Sequence, residues 1–440
     1  MKKGNAWALL PIGFFIALYL SLGIIFEYGM KISMGFYNVP IVVVFLVALL
    51  VACLQNRTVS FEKKIEIMGK GIGDKNMITM LLIFLLAGVF VGVVGRSSAE
   101  SVAYFLLSAV PPQFAVSVIF LVACFVSTAM GTSVGTITLL TPIAVSIAST
   151  SGFSLPLCVG TVVGGAMFGD NLSFVSDTTI AACGGQGCAM RDKFKTNFLI
   201  VLPAAVLTLL LILFLSFRAD ISSITTKDYA LIQILPYIMV LICGVIGINV
   251  FLTLIVGIIT GSVIMLSTGA LDFSGLISGM GSGASGMFET AMVALLVCAL
   301  CALIREAGGF EALLNGIRRI FRGKRAGQLG IGLLVGLMDI STANNTVAIV
   351  MANPIASEMA KDYGISPRKT ASILDTFSCI FQGILPYGAQ MLVALSAVST
   401  MGFELTAFNV ISYLFYPMFL LASSLAFMLF FPEQGDRVKH

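Results

Sequence analysis

Runs of about 20 consecutive apolar residues, separated by short segments that hold most of the charge, constrain this 440-residue chain more than any motif does. Such runs span the hydrocarbon layer as helices, and they are apolar all round rather than striped, so the surrounding solvent is lipid. Composition agrees: 58% of the residues are hydrophobic and 10% are charged. No soluble domain is left over, because the charge-bearing stretches at 55–75 and 305–325 are far shorter than the roughly 100 residues of an ordinary domain. The expected fold is an all-α polytopic membrane protein with about 10–12 transmembrane helices.

Spans are expected at residues 7–26, 39–54, 77–94, 197–217, 230–246, 250–266, 288–303 and 408–431. The first lacks a small-residue cleavage pattern and reads as a retained helix. Two further stretches, 115–182 and 327–397, are apolar yet full of helix breakers, which predicts discontinuous helices and re-entrant hairpins. They resemble each other. Ser127-Thr128-Ala129 precedes Pro142-Ile143-Ala144 much as Ser341-Thr342-Ala343 precedes Pro354-Ile355-Ala356, and each is followed by a segment broken by polar residues, Gly169-Asp170-Asn171 and Pro386 to Gln390. Paired interrupted segments are the best sequence pointer to a transporter site.

Loop charge sets the orientation. Arg57, Lys63, Lys64, Lys70 and Lys75, then Arg191, Lys193 and Lys195, then Arg318, Arg319, Arg322, Lys324 and Arg325 form three basic loops expected in the cytoplasm. The parity of the spans between them predicts two inverted repeats. The chain divides into N-terminal helices (1–54), a cytoplasmic amphipathic loop (55–76), a first repeat (77–217), an external loop (218–229) and a second repeat (230–440). The expected location is a bacterial cytoplasmic membrane, and a homodimer is among the assemblies open to such a chain.

These features exclude several classes. The net charge of +4 sits in loops and has an orientation meaning, so no nucleic-acid partner is expected. Nine cysteines lie mostly within apolar runs without metal-ligand spacing and read as small apolar filler, and His440 is the only histidine, so no haem or other resident cofactor is expected. Cation or proton chemistry falls to carboxylates.

The segment Gly169 to Thr179 holds two carboxylates, one carboxamide and four hydroxyls (Asp170, Asn171, Ser173, Ser176, Asp177, Thr178 and Thr179) between apolar flanks. Charge at membrane depth costs on the order of 3 kcal/mol per residue, so a function is the default explanation. Gly169 and the dense hydroxyls predict a helix break that frees backbone carbonyls. Oxygen ligands around an unwound helix suit a hard cation such as sodium, with Asp170 and Asp177 as ligands, and a desolvated carboxylate also takes a proton in competition. The bland alternative is a hairpin cap at the cytoplasmic surface. Gly131 to Thr136, with Thr132 and Ser133, interrupts the preceding helix, although small residues also serve as packing seams. In the second half, Asn344, Asn345 and Gln390 are neutral. Asp339 and Asp375 are each an ion-path candidate or a structural partner of Arg305 or another base. Glu289 is weaker, beside Gly279 to Gly286, which reads as a flexible turn.

At these residues the sequence resembles the NhaC family of sodium/proton antiporters within the ion transporter superfamily. Its GTS-x-GT block is matched by Gly131 to Thr136, and its GD-x-x-S-x-x-SDTT block by Gly169, Asp170, Ser173 and Ser176 to Thr179; Val134, Asn171 and Phe174 depart from the pattern. The resemblance implies an antiporter in which Asp170 and Asp177 bind sodium or protons and Thr132, Ser133, Ser173, Ser176 and Thr178 line the site.

Two rivals remain. A sodium- or proton-coupled carrier of a small carboxylate or amino acid would use the same broken helices, with helix N-termini and Asn344 or Asn345 receiving the substrate. An intramembrane aspartyl protease would need a Gly-x-Gly-Asp context, and Met167 stands where its first glycine belongs.

Overall fold

A computed structural model describes residues 4–32, 39–55, 57, 59–73, 75–173, 176–219, 229–246, 248 and 250–430, and among these every regular element is a helix. In chain order they are α1 (Leu10–Ile24), α2 (Ile41–Gln55), α3 (Phe61–Ile72), α4 (Lys75–Ala109), α5 (Ala115–Met130), α6 (Ser133–Ser151), α7 (Leu155–Leu172), α8 (Asp177–Gln186), α9 (Met190–Arg218) and α10 (Leu231–Val245). The remainder are α11 (Val250–Ser267), α12 (Phe273–Gly286), α13 (Phe288–Glu306), α14 (Gly309–Ile320), α15 (Lys324–Thr342), α16 (Asn345–Tyr363), α17 (Pro367–Ile384), α18 (Ala389–Thr400), α19 (Ala407–Ile411) and α20 (Phe415–Phe430). Among the described residues seven helical segments are long and apolar enough to cross a membrane and further apolar helices are shorter, so the chain is a multi-pass membrane protein. The outward faces of α9, α10 and α11 are covered by large apolar side chains such as Leu199, Leu210, Ile232 and Ile259, as a lipid solvent requires.

The two irregular stretches have one plan. α6 and α16 begin at residues 133 and 345, and α7 and α17 at 155 and 367, a constant offset of 212. That offset also carries Pro142 inside α6 onto Pro354 inside α16, and the left-handed Gly152 (φ 76°) onto Gly364 (φ 64°). Each half therefore consists of a helix, a break, a proline-bearing helix, and a second broken pair. The halves clasp one another at these breaks. α8 lies against α16 and α17, and α18 lies against α6. Asn353 fixes the first contact: its amide donates to the Ala181 carbonyl at 2.9 Å, its Oδ1 accepts from Gln186 at 2.9 Å, and a Cβ on Gly185 would fall 2.1 Å from its side chain.

Four expectations need correction. Residues 279–286 are not a flexible turn but the last part of α12, where Gly279 and Gly283 let the α4 backbone approach at Gly88 and Gly92. A Cβ on Gly92 would stand 2.1 Å from the Gly279 oxygen, so the glycines serve close helix packing. The final span is shorter than 408–431 because the chain turns between α19 and α20. The third lies in the basic loop at 191–195: Lys193 sits inside α9 and is 1% exposed. The fourth is the helix break at Gly169, taken up below. The external loop expected at 218–229 falls almost wholly outside the described residues.

Candidate functional site

The first break is built by backbone chemistry. α5 stops at Gly131, whose φ of 69° favours glycine, and the chain turns extended at Thr132, whose hydroxyl accepts from the Gly135 amide to cap α6. In the second half Ala343 (φ 49°) and Asn344 do the same, the Asn344 side chain accepting from the Val347 amide at 3.0 Å. A non-glycine residue held in the left-handed region is strained, which marks this break as one that the surrounding structure enforces.

The break expected at Gly169 lies further on. α7 continues through Gly169, Asp170 and Asn171 to Leu172, and the chain leaves the helix between Ser173 and Ser176. Gly169 is needed for packing instead: a Cβ there would meet the Ser127 Cβ at 2.4 Å and the Thr128 nitrogen at 2.5 Å on α5. Asp170 and Asp177 are thus on separate helices. The Asp177 side chain lies outside the described residues.

Asp170 is buried in the last turn of α7, the wrong pole of that helix for an anion. Its carboxylate is held from two sides. Ser133, the first residue of α6, donates to Oδ2 at 2.9 Å, and Ser176, just before α8, donates to Oδ1 at 2.5 Å. Ser176 is in turn 2.8 Å from the Thr178 hydroxyl, and Gln390 on α18 donates to the Ser133 Oγ at 2.7 Å. A cavity of about 100 Å³ opens beside this carboxylate, lined by Thr132, Ser133, Asp170, Ser176 and Thr178 from the first half, Asn344 and Asn345 from the second, and Thr79 on α4. Three helix N-termini, those of α6, α8 and α16, reach its wall and offer positive ends to the carboxylate.

Behind the cavity stands a buried ion pair, one of the two roles open to Asp375 from the sequence, with a base that the sequence assigned to a loop. Lys193 Nζ on α9 lies 2.7 Å from Asp375 Oδ2 on α17. It also donates to the Asn171 carbonyl at 3.1 Å and to the Thr179 hydroxyl at 2.6 Å, while Asn197, one turn on, donates to the same carbonyl at 2.9 Å and to Asp375 at 2.7 Å. The end of α7 and the start of α8 are thus pinned across the break from the outside, and the ammonium occupies the C-terminal pole of α7, where a cation is favoured. Asp375 pairs with Lys193 rather than Arg305, whose guanidinium reaches Met351 Sδ at 2.9 Å.

Seven expected site residues therefore meet at one cavity. Asn171 and Thr179 do not: Asn171 donates to Tyr416 at 3.1 Å and Cys379 at 3.3 Å, away from the cavity, and Thr179 serves Lys193. Ser173 is buried at the break and does not line the cavity wall. Lys193, Asn197, Asp375 and Gln390 complete the arrangement. The spacing Lys193-x-x-x-Asn197, two polar residues on one face of a helix entering an apolar run, is the sequence signal for the first two. Among the described residues the site is one carboxylate ringed by hydroxyls and amides, with no cluster of three His, Cys, Asp or Glu side chains.

Comparison with known proteins places these observations. The chain is 23% identical to the Na(+)/H(+) antiporter NhaC of Bacillus subtilis (strain 168) over 398 residues, covering 82% of this chain and 85% of that protein. It is 25% identical to the malate-2H(+)/Na(+)-lactate antiporter of the same organism over 204 residues, 46% of this chain and 41% of that one. Among solved structures it is similar to the Alcanivorax borkumensis YdaH transporter (TM-score 0.42, 14% identity, 81% of this chain and 89% of that one). The relatives are transporters, and the chain is a transporter, not an enzyme. The Na+/H+ antiporter family pattern matches residues 7–217 and 219–431, nearly the whole chain, and the protein belongs to that family.

Proposed function

We propose that the protein exchanges sodium for protons across a bacterial cytoplasmic membrane, with both ions competing for the Asp170 carboxylate. The observation that supports this reading best is the pair of hydroxyls, Ser133 and Ser176, that hold the two Asp170 oxygens from two different broken helices at the edge of a cavity shared by both halves. When a proton leaves Asp170 and sodium enters, the same hydroxyl oxygens can turn from donating to the carboxylate to coordinating the cation, with Thr132, Thr178 and the Asn345 amide within the same cavity wall. Movement of one half against the other would open this shared site to either side in turn. Asp177, the first residue of α8, is the second carboxylate of the proposal. Asp170→Asn and Asp177→Asn should each abolish sodium-dependent proton flux in proteoliposomes while the protein still inserts and folds. Retention of more than half the wild-type rate in both would remove the assignment.

A second reading has its own support. Three helix N-termini at one cavity also suit a carboxylate substrate, and one relative is named for malate and lactate. Competition by a panel of small carboxylates and amino acids, with sodium and proton gradients imposed separately, distinguishes the two: inhibition with concomitant uptake favours the solute carrier, whereas indifference favours ion exchange.

A further inference from the structure

The 212-residue offset brings the Asp170 corner onto a second one. Ser127, packed against Gly169 and donating to the Ala166 carbonyl at 2.5 Å, maps onto Asp339, and Asp170 maps onto Gln382. The acid has changed helices: in the first half it stands on α7, and in the second on α15, the counterpart of α5. Asp339 lies one turn before the strained break at Ala343, is 0% exposed, and its carboxylate has no side-chain partner among the described residues, the Gln382 backbone being the one group that approaches it as a hydrogen-bond donor. The Gln382 Oε1 is buried and unpartnered as well. Asp375, another buried acid of this half, by contrast has its Oδ2 held by both Lys193 and Asn197.

A buried carboxylate with no cationic or side-chain partner, in a dry corner that also holds the unpartnered Gln382 amide oxygen, demands a positive charge or a proton. Arg305 on α13, one turn beyond Cys301, reaches Met351 Sδ at 2.9 Å, and no ion pair to Asp339 forms among the described residues. The titratable groups facing Asp339 are Cys379 on α17, Tyr387 in the turn before α18, and Cys301 on α13 beside the same break. The charged residues of α14 and α16 that pack on α15, Arg318, Glu358 and Asp362, pair with one another at its opposite end. A metal ion is poorly served, because the carbonyls that the break releases are already taken: Tyr387 donates to Ile340 at 2.8 Å, Cys301 to Ser341 at 2.6 Å, and Gln382 to Ala343 at 3.1 Å. A proton needs no ligand shell.

We propose that Asp339 is a second proton-carrying site, quasi-equivalent to Asp170 but specific for the proton. It rests on the reading that the chain couples protons to another ion, and it adds that each half of the molecule carries a titratable carboxyl at its break. In the resting arrangement Asp339 holds its proton; the proton leaves when the halves move and water reaches the Ala343 break, and returns when the corner closes. No other bond is made or broken.

Infrared difference spectra of the reconstituted protein between acid and alkaline buffer test this without any cargo. The expected result is a buried carboxylic-acid C=O band that disappears on alkalinisation, survives in Asp170→Asn, and is missing in Asp339→Asn, while Asp339→Glu retains it at a shifted position. In transport, Asp339→Asn should lower the protons exchanged per sodium without weakening sodium binding more than about twofold, since a neutral amide replaces a neutral acid. Identical difference spectra in wild type and Asp339→Asn, or an unchanged proton-to-sodium ratio in a folded Asp339→Asn, would overturn the proposal. If the asparagine variant does not fold, an Asp339→Glu spectrum indistinguishable from wild type overturns it equally. Loss of sodium transport in the wild type itself would count against the exchange reading, not against titration of Asp339, which the spectra read directly.

Discussion

Lys193 on α9 and Asp375 on α17 form an ion pair of 2.7 Å with both side chains 1% exposed, and the same ammonium holds the carbonyl of Asn171 at the end of α7. The pair thus joins three helices behind a helix break that would otherwise leave carbonyls unsatisfied in a dry interior. Breaking such a pair from one side leaves an uncompensated buried charge. Lys193→Met should destabilise the folded protein by roughly 3–5 kcal/mol, and Lys193→Met/Asp375→Leu should recover a large part of that loss. Thermal unfolding in detergent checks it; a double variant no more stable than Lys193→Met would show that the pair acts chiefly through its bonds to Asn171 and Thr179.

Ser176 donates to Asp170 and is the only link between that carboxylate and Thr178 among the hydrogen bonds of the described residues. Ser176→Ala should weaken sodium binding about tenfold, the equivalent of one charge-assisted contact, with little effect on folding. Isothermal titration with sodium is the measurement. Affinity unchanged within a factor of two would exclude the Ser176 oxygen from the cation shell.

Gly169 has no room for a side chain, its Cβ position falling 2.4 Å from that of Ser127. Gly169→Ala should push α7 off α5, destabilise by about 1–3 kcal/mol and lower transport, although it alters no polar group. Gly184, where a Cβ meets nothing within 4 Å, is the control, and Gly184→Ala should be silent. Equal thermal stability of the two variants would contradict the packing account.

The paired breaks predict internal symmetry. Residues 115–186 and 327–400 should superpose after rotation about an axis lying in the membrane plane, and cysteine accessibility from the two sides should place the N-termini of α5 and α15 on opposite faces. Labelling of both from one side would show a parallel relation instead.

The membrane class, the break at Gly131 and the break at Pro386 to Gly388 were legible because they depend on local facts: runs of apolar residues, glycine and proline, and dense hydroxyls. Ser133, Asp170, Ser176 and Asn345 could be nominated from their polarity alone, since a polar group at that depth needs a reason. What stayed hidden depends on long-range packing. Lys193 sits between Arg191 and Lys195 and reads as part of a basic loop; only the helix that brings Asp375 to it, 182 positions later, removes it from solvent. Gly279 and Gly283 read as a turn because glycine is used equally for flexibility and for close approach, and α4 decides between them. Gly169 misled for the same reason, placing the break several residues too early.

The central claim is that one carboxylate serves two ions, and sodium affinity as a function of pH tests it most directly. If sodium binds only the ionised form of Asp170, as proposed, then below the pH at which that group titrates each unit of acidification should raise the apparent Kd about tenfold, and above it the affinity should level off. Binding to purified protein, measured by calorimetry across that range with Asp170→Asn as the reference, should follow this curve in the wild type and vanish in the variant. Sodium affinity that is flat with pH and strengthened by an organic acid would contradict the account and identify a sodium-coupled solute carrier in its place.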